Sequence, residues 1–287
     1  MDEVFNINQR LNSSISEFYK RYIESIVGSA RSSNKTVGAL VLEPIFIGAG
    51  GFKLVDVLFQ NLLVEFCKKE GVPVIFDEVA VGMYRIGPSS TSRMVKQVPD
   101  IAVYGKLVTG GYLPLSVTLT AEETFEAFVS DEKSKALLHG HSYTANPVSC
   151  TAALEALRCY KSSERYDPGE DWMQGTFQEA AAATISLMPG VESAVCLGSI
   201  LTVDLAPVVD VAGISLNPSP AIRVVERLRE HGVYARPLGD SVYIMTSQFT
   251  TLQSTERLMN ALMQSILQIN SGHRDMKSWK CDGVAAV

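Results

Sequence analysis

The stretch from residue 37 to residue 77 constrains the fold more than any other. "VGALVLEP" (residues 37–44) is an apolar, β-branched run stopped by Pro44, and residues 72–76 of "VPVIFDE" form a second run of the same kind. Between them, after a "GAGG" loop at residues 48–51, residues 55–69 repeat their apolar positions with the period of a helix. Strand, helix and strand in this order and spacing imply a right-handed parallel unit, the building block of an α/β sheet. Two more short strands are predicted at "DIAVYG" (residues 100–105) and "PLSVTLT" (residues 114–120). An amphipathic helix over residues 13–27 precedes the first strand, and a long helix over residues 147–161 opens with Asn146 as its cap and Pro147 in its first turn.

The character changes after "KSSERYDPGED" (residues 161–171), a polar connection. An Ala-rich helix to about residue 187, strands near residues 191–195 and 200–204, a helix over residues 220–230, a hairpin over residues 233–245 and a helix over residues 251–269 form an α+β module. The expected organisation is a large, mainly parallel α/β domain over residues 1–161, a small α+β domain over residues 162–272, and a disordered tail over residues 273–287.

Composition removes several function classes. A net charge of −6 and a pI near 5.3 argue against a nucleic-acid surface, which needs clustered Lys and Arg. No apolar run has the length of a membrane span. Five cysteines, odd in number and without a CxxC pair, suit mostly buried, reduced thiols. The histidines His139 and His141 stand without a Cys or carboxylate at ligand spacing, so no metal is expected. "MDEVFNINQR" has neither a secretory nor a transit pattern.

Two charges stand out against this apolar background. Asp77 follows the second strand, at the carboxyl end where parallel sheets place their ligands. A cap of the next turn is one reading of it. A Walker-B acid is another, but the only Gly-Lys pair, Gly105-Lys106, lacks the rest of a phosphate loop. Lys106 is the only charged residue from Ile101 to Ala121. Burial there would disfavour its ammonium form and free an amine for attack on carbonyls. An amine nucleophile with a strand-end carboxylate suggests pyridoxal phosphate: the lysine carries the cofactor in a Schiff base, and the acid pairs with the protonated ring nitrogen.

Four phrases in chain order carry a family resemblance: "VLEP…GAGG", "IFDEVAVGMYRIG", "PDIAVYGKLVTGGYLPLS" and "HGHSYTANPVSCTAA". Together they resemble the class III, fold-type I, pyridoxal-phosphate-dependent aminotransferases, and the 29-residue step from Asp77 to Lys106 fits that layout. Within the class, "YGKLVTGGYLPLS" and "ARPLGDSVYIM" most resemble the diaminopelargonic acid aminotransferases of biotin synthesis, particularly the eukaryotic type fused behind a dethiobiotin synthetase domain. The resemblance implies Lys106 as catalytic lysine, Asp77 as partner of the ring nitrogen, and Ser142 as a hydroxyl that reaches the cofactor phosphate across a homodimer interface with shared active sites. It implies Arg236 as the holder of a substrate carboxylate and Arg85 as a residue that discriminates substrates, with Glu43 and Glu78 orienting neighbours. The reaction implied is transfer of an amino group from S-adenosylmethionine to 8-amino-7-oxononanoate, in the mitochondrial matrix for the eukaryotic fused type and in the cytoplasm otherwise. Transfer between ornithine or another ω-amine and a keto acid is the alternative within the class. Family members also have a Gly-Ser phosphate loop and a ring-stacking aromatic that the short region before residue 37 does not hold, so the sequence resembles a carboxyl-terminal part. A truncated chain that only dimerises is the non-enzymatic alternative.

Overall fold

The structure, a computed structural model, describes residues 2–207 and 219–270. The chain divides into two compact units. One comprises Met1–Thr176, Leu197–Ile200 and Ser247–Phe249, and the other Phe177–Cys196, Leu201–Thr246 and Thr250–Val287.

The first unit opens with helices α1 (Asp2–Phe5), α2 (Ile7–Arg10) and α3 (Ser14–Ser32), continues through strands β1 (Leu40–Leu42), β2 (Phe46–Ile47) and β3 (Lys53–Leu54), and then enters helix α4 (Val57–Lys69). Strand β4 (Val74–Asp77), helix α5 (Ser92–Val95), strand β5 (Ile101–Tyr104), a 3-10 turn at Lys106–Val108 and strand β6 (Val117–Thr120) follow. Helices α6 (Glu122–Glu126) and α7 (Pro147–Lys161) and the short strands β7 (Tyr166–Asp167) and β8 (Trp172–Met173) complete it. The main sheet has the order β1-β4-β5-β6. β1 and β5 both run parallel to β4, with Leu42 opposite Phe76 and Asp77 opposite Val103, while β6 returns antiparallel to β5. The expected α/β architecture with a mainly parallel sheet is therefore present.

Local chemistry explains the elements. Val74 and Phe76 are fully buried on β4, as a central parallel strand requires. Asp56 caps α4 by accepting the Leu58 amide at 2.9 Å, and the same carboxylate accepts Arg10 through two nitrogens and the Tyr19 hydroxyl at 2.9 Å, which ties α2 and α3 to the sheet helix. Asn146 accepts from the Val148 and Ser149 amides at the start of α7. Two hairpins add to the sequence expectation. Residues 48–51, expected as a loop, join β2 to β3, and β7–β8 begins within the expected polar connection and ends just beyond it. Strands of two residues have no periodicity to read.

The second unit holds helix α8 (Glu179–Ser186), strands β9 (Val191–Leu197) and β10 (Ile200–Leu205), helix α9 (Pro220–Glu230), strands β11 (Arg236–Leu238) and β12 (Ser241–Met245), and helix α10 (Leu252–Asn270). Its sheet has the order β11-β12-β10-β9. Ile185, Leu201, Val224, Leu228 and Leu262 are fully buried in its core. Ser219 caps α9 and Pro220 fills its first position, where no intrahelical donor is needed.

Of the described cysteines Cys67 and Cys196 are buried, Cys150 is half-buried and Cys159 is exposed, so burial of the thiols is only partial. Cys281 and the expected disordered tail lie outside the described residues. No helix among the described residues is long and apolar enough to cross a membrane.

Candidate active site

The parallel register brings Asp77 and Lys106 to one end of the sheet. Asp77 is the last residue of β4, its partner on β5 is Val103, and Lys106 follows β5 after Tyr104 and Gly105. The half-buried Asp77 accepts the Val79 amide on Oδ1 at 3.0 Å, the geometry of a turn cap. Its Oδ2 accepts from none of the described residues. Capping and pairing with a cation are thus compatible at this carboxylate, each using one oxygen.

Lys106 differs from expectation. Its side chain is exposed, and the burial of the segment falls on Leu107 and Val108 instead. Lys106 opens a 3-10 turn with φ +42°, and Gly105 before it is fully extended. A left-handed conformation is unfavourable for a lysine. Lys106 forms no ion pair with the described residues. The turn is held from behind by Tyr160 on α7, whose hydroxyl donates to the Leu107 carbonyl at 2.9 Å.

Glu78, 1% exposed, anchors the loop after β4. It accepts the Ser90 hydroxyl at 2.8 Å, the Thr91 amide at 2.7 Å and the Tyr104 hydroxyl at 3.0 Å. Burial, more than the facing Glu78 carboxylate, pushes the Tyr104 phenol up to about 12. Arg85, carried by the same loop, is buried. Its Nη1 lies 3.4 Å from Ser199 Oγ, and its carbonyl accepts both the Ser199 amide at 2.9 Å and the Ser199 hydroxyl at 3.0 Å. Burial lowers its guanidinium to about 10, and the nearby Tyr160 phenol opposes that shift. A solvated loop arginine is therefore excluded for this residue.

The other sequence candidates lie on exposed positions. Ser142 stands in a turn within residues 125–145, every one of which is exposed, together with His139 and His141. His141 Nδ1 accepts the Tyr143 amide at 3.1 Å, and no cluster among the described residues could hold a metal ion. Arg236 begins β11 opposite Tyr243 in the second unit and is exposed. Sequence reasoning missed Tyr84, Tyr160, Asp171, Ser199 and Gln248, all in the first unit. Gln248 Nε2 donates to Ser199 Oγ and to the Tyr84 carbonyl, both at 3.3 Å. Separations of 49 and 164 residues leave no local signal for such contacts.

The family described as Aminotransferase class-III matches residues 3–267. The rice (Oryza sativa subsp. japonica) mitochondrial bifunctional dethiobiotin synthetase/7,8-diamino-pelargonic acid aminotransferase is 40% identical over 276 residues, which are 94% of this chain and 33% of that protein. The crystal structure of adenosylmethionine-8-amino-7-oxononanoate aminotransferase from Methanocaldococcus jannaschii is 27% identical with a TM-score of 0.73, covering 87% of this chain and 57% of that one. An amine transaminase from an uncultivated Pseudomonas species, in its PLP-bound form, is 26% identical with a TM-score of 0.69, covering 87% of this chain and 56% of that one. The chain thus spans about a third of the rice protein and somewhat over half of the two solved structures. The match takes in both compact units and the strands that end at Asp77 and before Lys106, so the chain belongs to the class-III aminotransferase family and has the fold of the fold-type I transaminases.

Proposed function

We propose that this chain supplies the lysine, the ring-nitrogen acid and the small domain of an aminotransferase that converts 8-amino-7-oxononanoate to 7,8-diaminononanoate in biotin synthesis, with S-adenosylmethionine as amino donor. The observation that carries the reading is the pairing, at one end of a parallel sheet, of a carboxylate that keeps Oδ2 available with an exposed lysine free of described ion pairs. The names of the rice and Methanocaldococcus relatives support the substrate.

Pyridoxal phosphate is the cofactor of this family, and when bound it supplies an electron sink for the carbanion formed at the substrate's α-carbon. The residues present fit it. Asp77 Oδ2 would keep a proton on the pyridine nitrogen, and Val79 N–H fixes the carboxylate by its other oxygen. Lys106 Nζ would carry the cofactor and move the substrate's proton, and an exposed amine on a fixed turn has the reach for both. Arg236, exposed at the start of β11, would take the ketone substrate's carboxylate as a bidentate pair. Arg85 would discriminate between substrates. Ser142 would lend its hydroxyl to the active site of a second copy in a homodimer. The exposed side chains beside it, Leu138 at 88% and Tyr143 at 75%, suit such a contact. A fused dethiobiotin synthetase domain and a mitochondrial location follow the rice relative.

The test is borohydride reduction with pyridoxal phosphate, followed by peptide mapping. In a version extended upstream to the length of its relatives, label is expected on Lys106 and lost in Lys106→Ala; label retained on another lysine in that variant overturns the assignment. A screen of amino donors then separates S-adenosylmethionine from ω-amines.

A further inference from the structure

The loop that carries Arg85 is held by a residue outside every motif considered above. Residues 82–90 form a compact turn closed by the Met83 amide on the Ser89 carbonyl (2.9 Å) and the Tyr84 amide on the Pro88 carbonyl (3.1 Å). Met83 and Tyr84 both have left-handed backbones, with φ of +53° and +68°. Two adjacent bulky residues in that region are strained, and such a conformation persists only where the surroundings over-determine it.

The surroundings that do so come from the β7–β8 hairpin. Asp171, just before β8, accepts the Tyr84 and Tyr166 hydroxyls on Oδ1, each at 2.8 Å, and the Ser89 hydroxyl on Oδ2 at 2.5 Å. One carboxylate therefore grips the loop on both sides of Arg85. The Met173 amide donates to the Gly87 carbonyl at 2.8 Å, and the Trp172 ring covers Gly87 so closely that a Cβ there would lie 2.4 Å from it. The Tyr84 ring meets Tyr166 edge-on at 5.5 Å and Tyr160 at 6.1 Å, and Tyr160 is the residue that also holds the Lys106 turn. Burial opposes ionisation of Asp171, but the three hydroxyl donors outweigh it and hold the carboxyl below its ordinary range.

We propose that Asp171 is a positioning residue: through Tyr84 and Ser89 it fixes the strained 82–90 loop and so sets where Arg85 stands when the enzyme selects its keto substrate. The substrate half of this inference rests on the proposed function; the loop-holding half rests on the hydrogen bonds alone. Asp171 itself would touch neither substrate nor cofactor.

Asp171→Ala, Asp171→Asn and Tyr84→Phe test it, with hydrogen exchange and steady-state kinetics measured on each full chain. The expected result is an exchange rate for the Met83, Tyr84 and Arg85 amides about tenfold faster in Asp171→Ala and Tyr84→Phe, with β4 and β5 unchanged. Asp171→Asn keeps an acceptor oxygen for Tyr84 and should recover part of the protection. In turnover, KM for the keto acceptor should rise about tenfold with kcat and the donor KM held. Tyr84→Phe keeps the ring packing, so it serves if Asp171→Ala does not fold. Loop amides as protected as in the wild type overturn the inference whatever the activity, and so does an equal rise in both KM values. Wild-type protein extended to the length of its relatives and still without transamination, combined with a released loop in the variants, would retire the functional reading and leave the loop-holding role in place.

Discussion

Glu78→Ala removes the acceptor of three hydrogen bonds at a site that is 1% exposed. One of the donors has nowhere else to go: the Thr91 amide would be stranded in the interior, at about 1–3 kcal/mol. The Tyr104 hydroxyl can turn to Ser90 and loses charge assistance alone, about 1 kcal/mol. Ser90 escapes this cost, because its hydroxyl already lies 2.7 Å from Ser92 Oγ and can turn to it. The expected loss is about 2–4 kcal/mol, or a fall in Tm of roughly 4–16 °C at about 2–4 °C per kcal/mol for a unit of this size. Glu78→Gln should be far milder. Its amide oxygen can take the Thr91 N–H while its NH2 donates to the Ser90 and Tyr104 oxygens, so only charge assistance is lost, about 1 kcal/mol. Thermal unfolding followed by circular dichroism, with hydrogen exchange at the Thr91 amide, measures both variants. An alanine variant within about 1 kcal/mol of wild type, or a glutamine variant less stable than alanine, would refute the reasoning.

Three further outcomes are expected. Arg10 and Tyr19 hydrogen bonds outweigh burial at Asp56 and depress its pKa below the ordinary 3.8, so its contribution to stability is full above that value and is lost as pH falls through the lower folded value; urea midpoints against pH should show an acid limb that Asp56→Asn flattens. Gly87→Ala puts a Cβ 2.4 Å from the Trp172 ring at φ +131° and should cost about 1–3 kcal/mol or more in denaturant unfolding, part of it recovered when Trp172 is also cut to Ala; full stability in the single variant would contradict the close packing. Arg236→Lys should weaken the ketone half-reaction roughly ten- to hundredfold with the cofactor spectrum unchanged, since lysine lacks the planar fork; an unaltered half-reaction would leave Arg236 an ordinary surface arginine.

The parallel sheet was legible because its signal is local. β4 and β5 are runs of buried apolar residues, α4 repeats every 3.6 residues, and a crossover of this length fixes the relative direction of the strands it joins. Asp77 was legible for the same reason, as a charge at the end of such a run. The environment of Lys106 was not, because apolar neighbours in sequence do not imply an apolar neighbourhood in space: Lys106 stays exposed while Leu107 and Val108 are buried. The clamp on Arg85 was hidden altogether. Asp171 reads as one more acid in a polar connection, and the hydroxyls it gathers from Tyr84 and Ser89 are 87 and 82 residues away.

The left-handed backbone of Lys106 also sets two demands on that position against each other. A lysine held at φ +42° sacrifices roughly 1–2 kcal/mol that a glycine would keep. Natural variation at this codon would then be sorted by whether the amine is used. In a lineage that relies on it, drift toward glycine is lethal to the chemistry although it strengthens the fold. In a lineage that has abandoned catalysis, selection for stability alone should carry the position toward glycine or asparagine ahead of its neighbours, making this site an early marker of decay into a non-catalytic form.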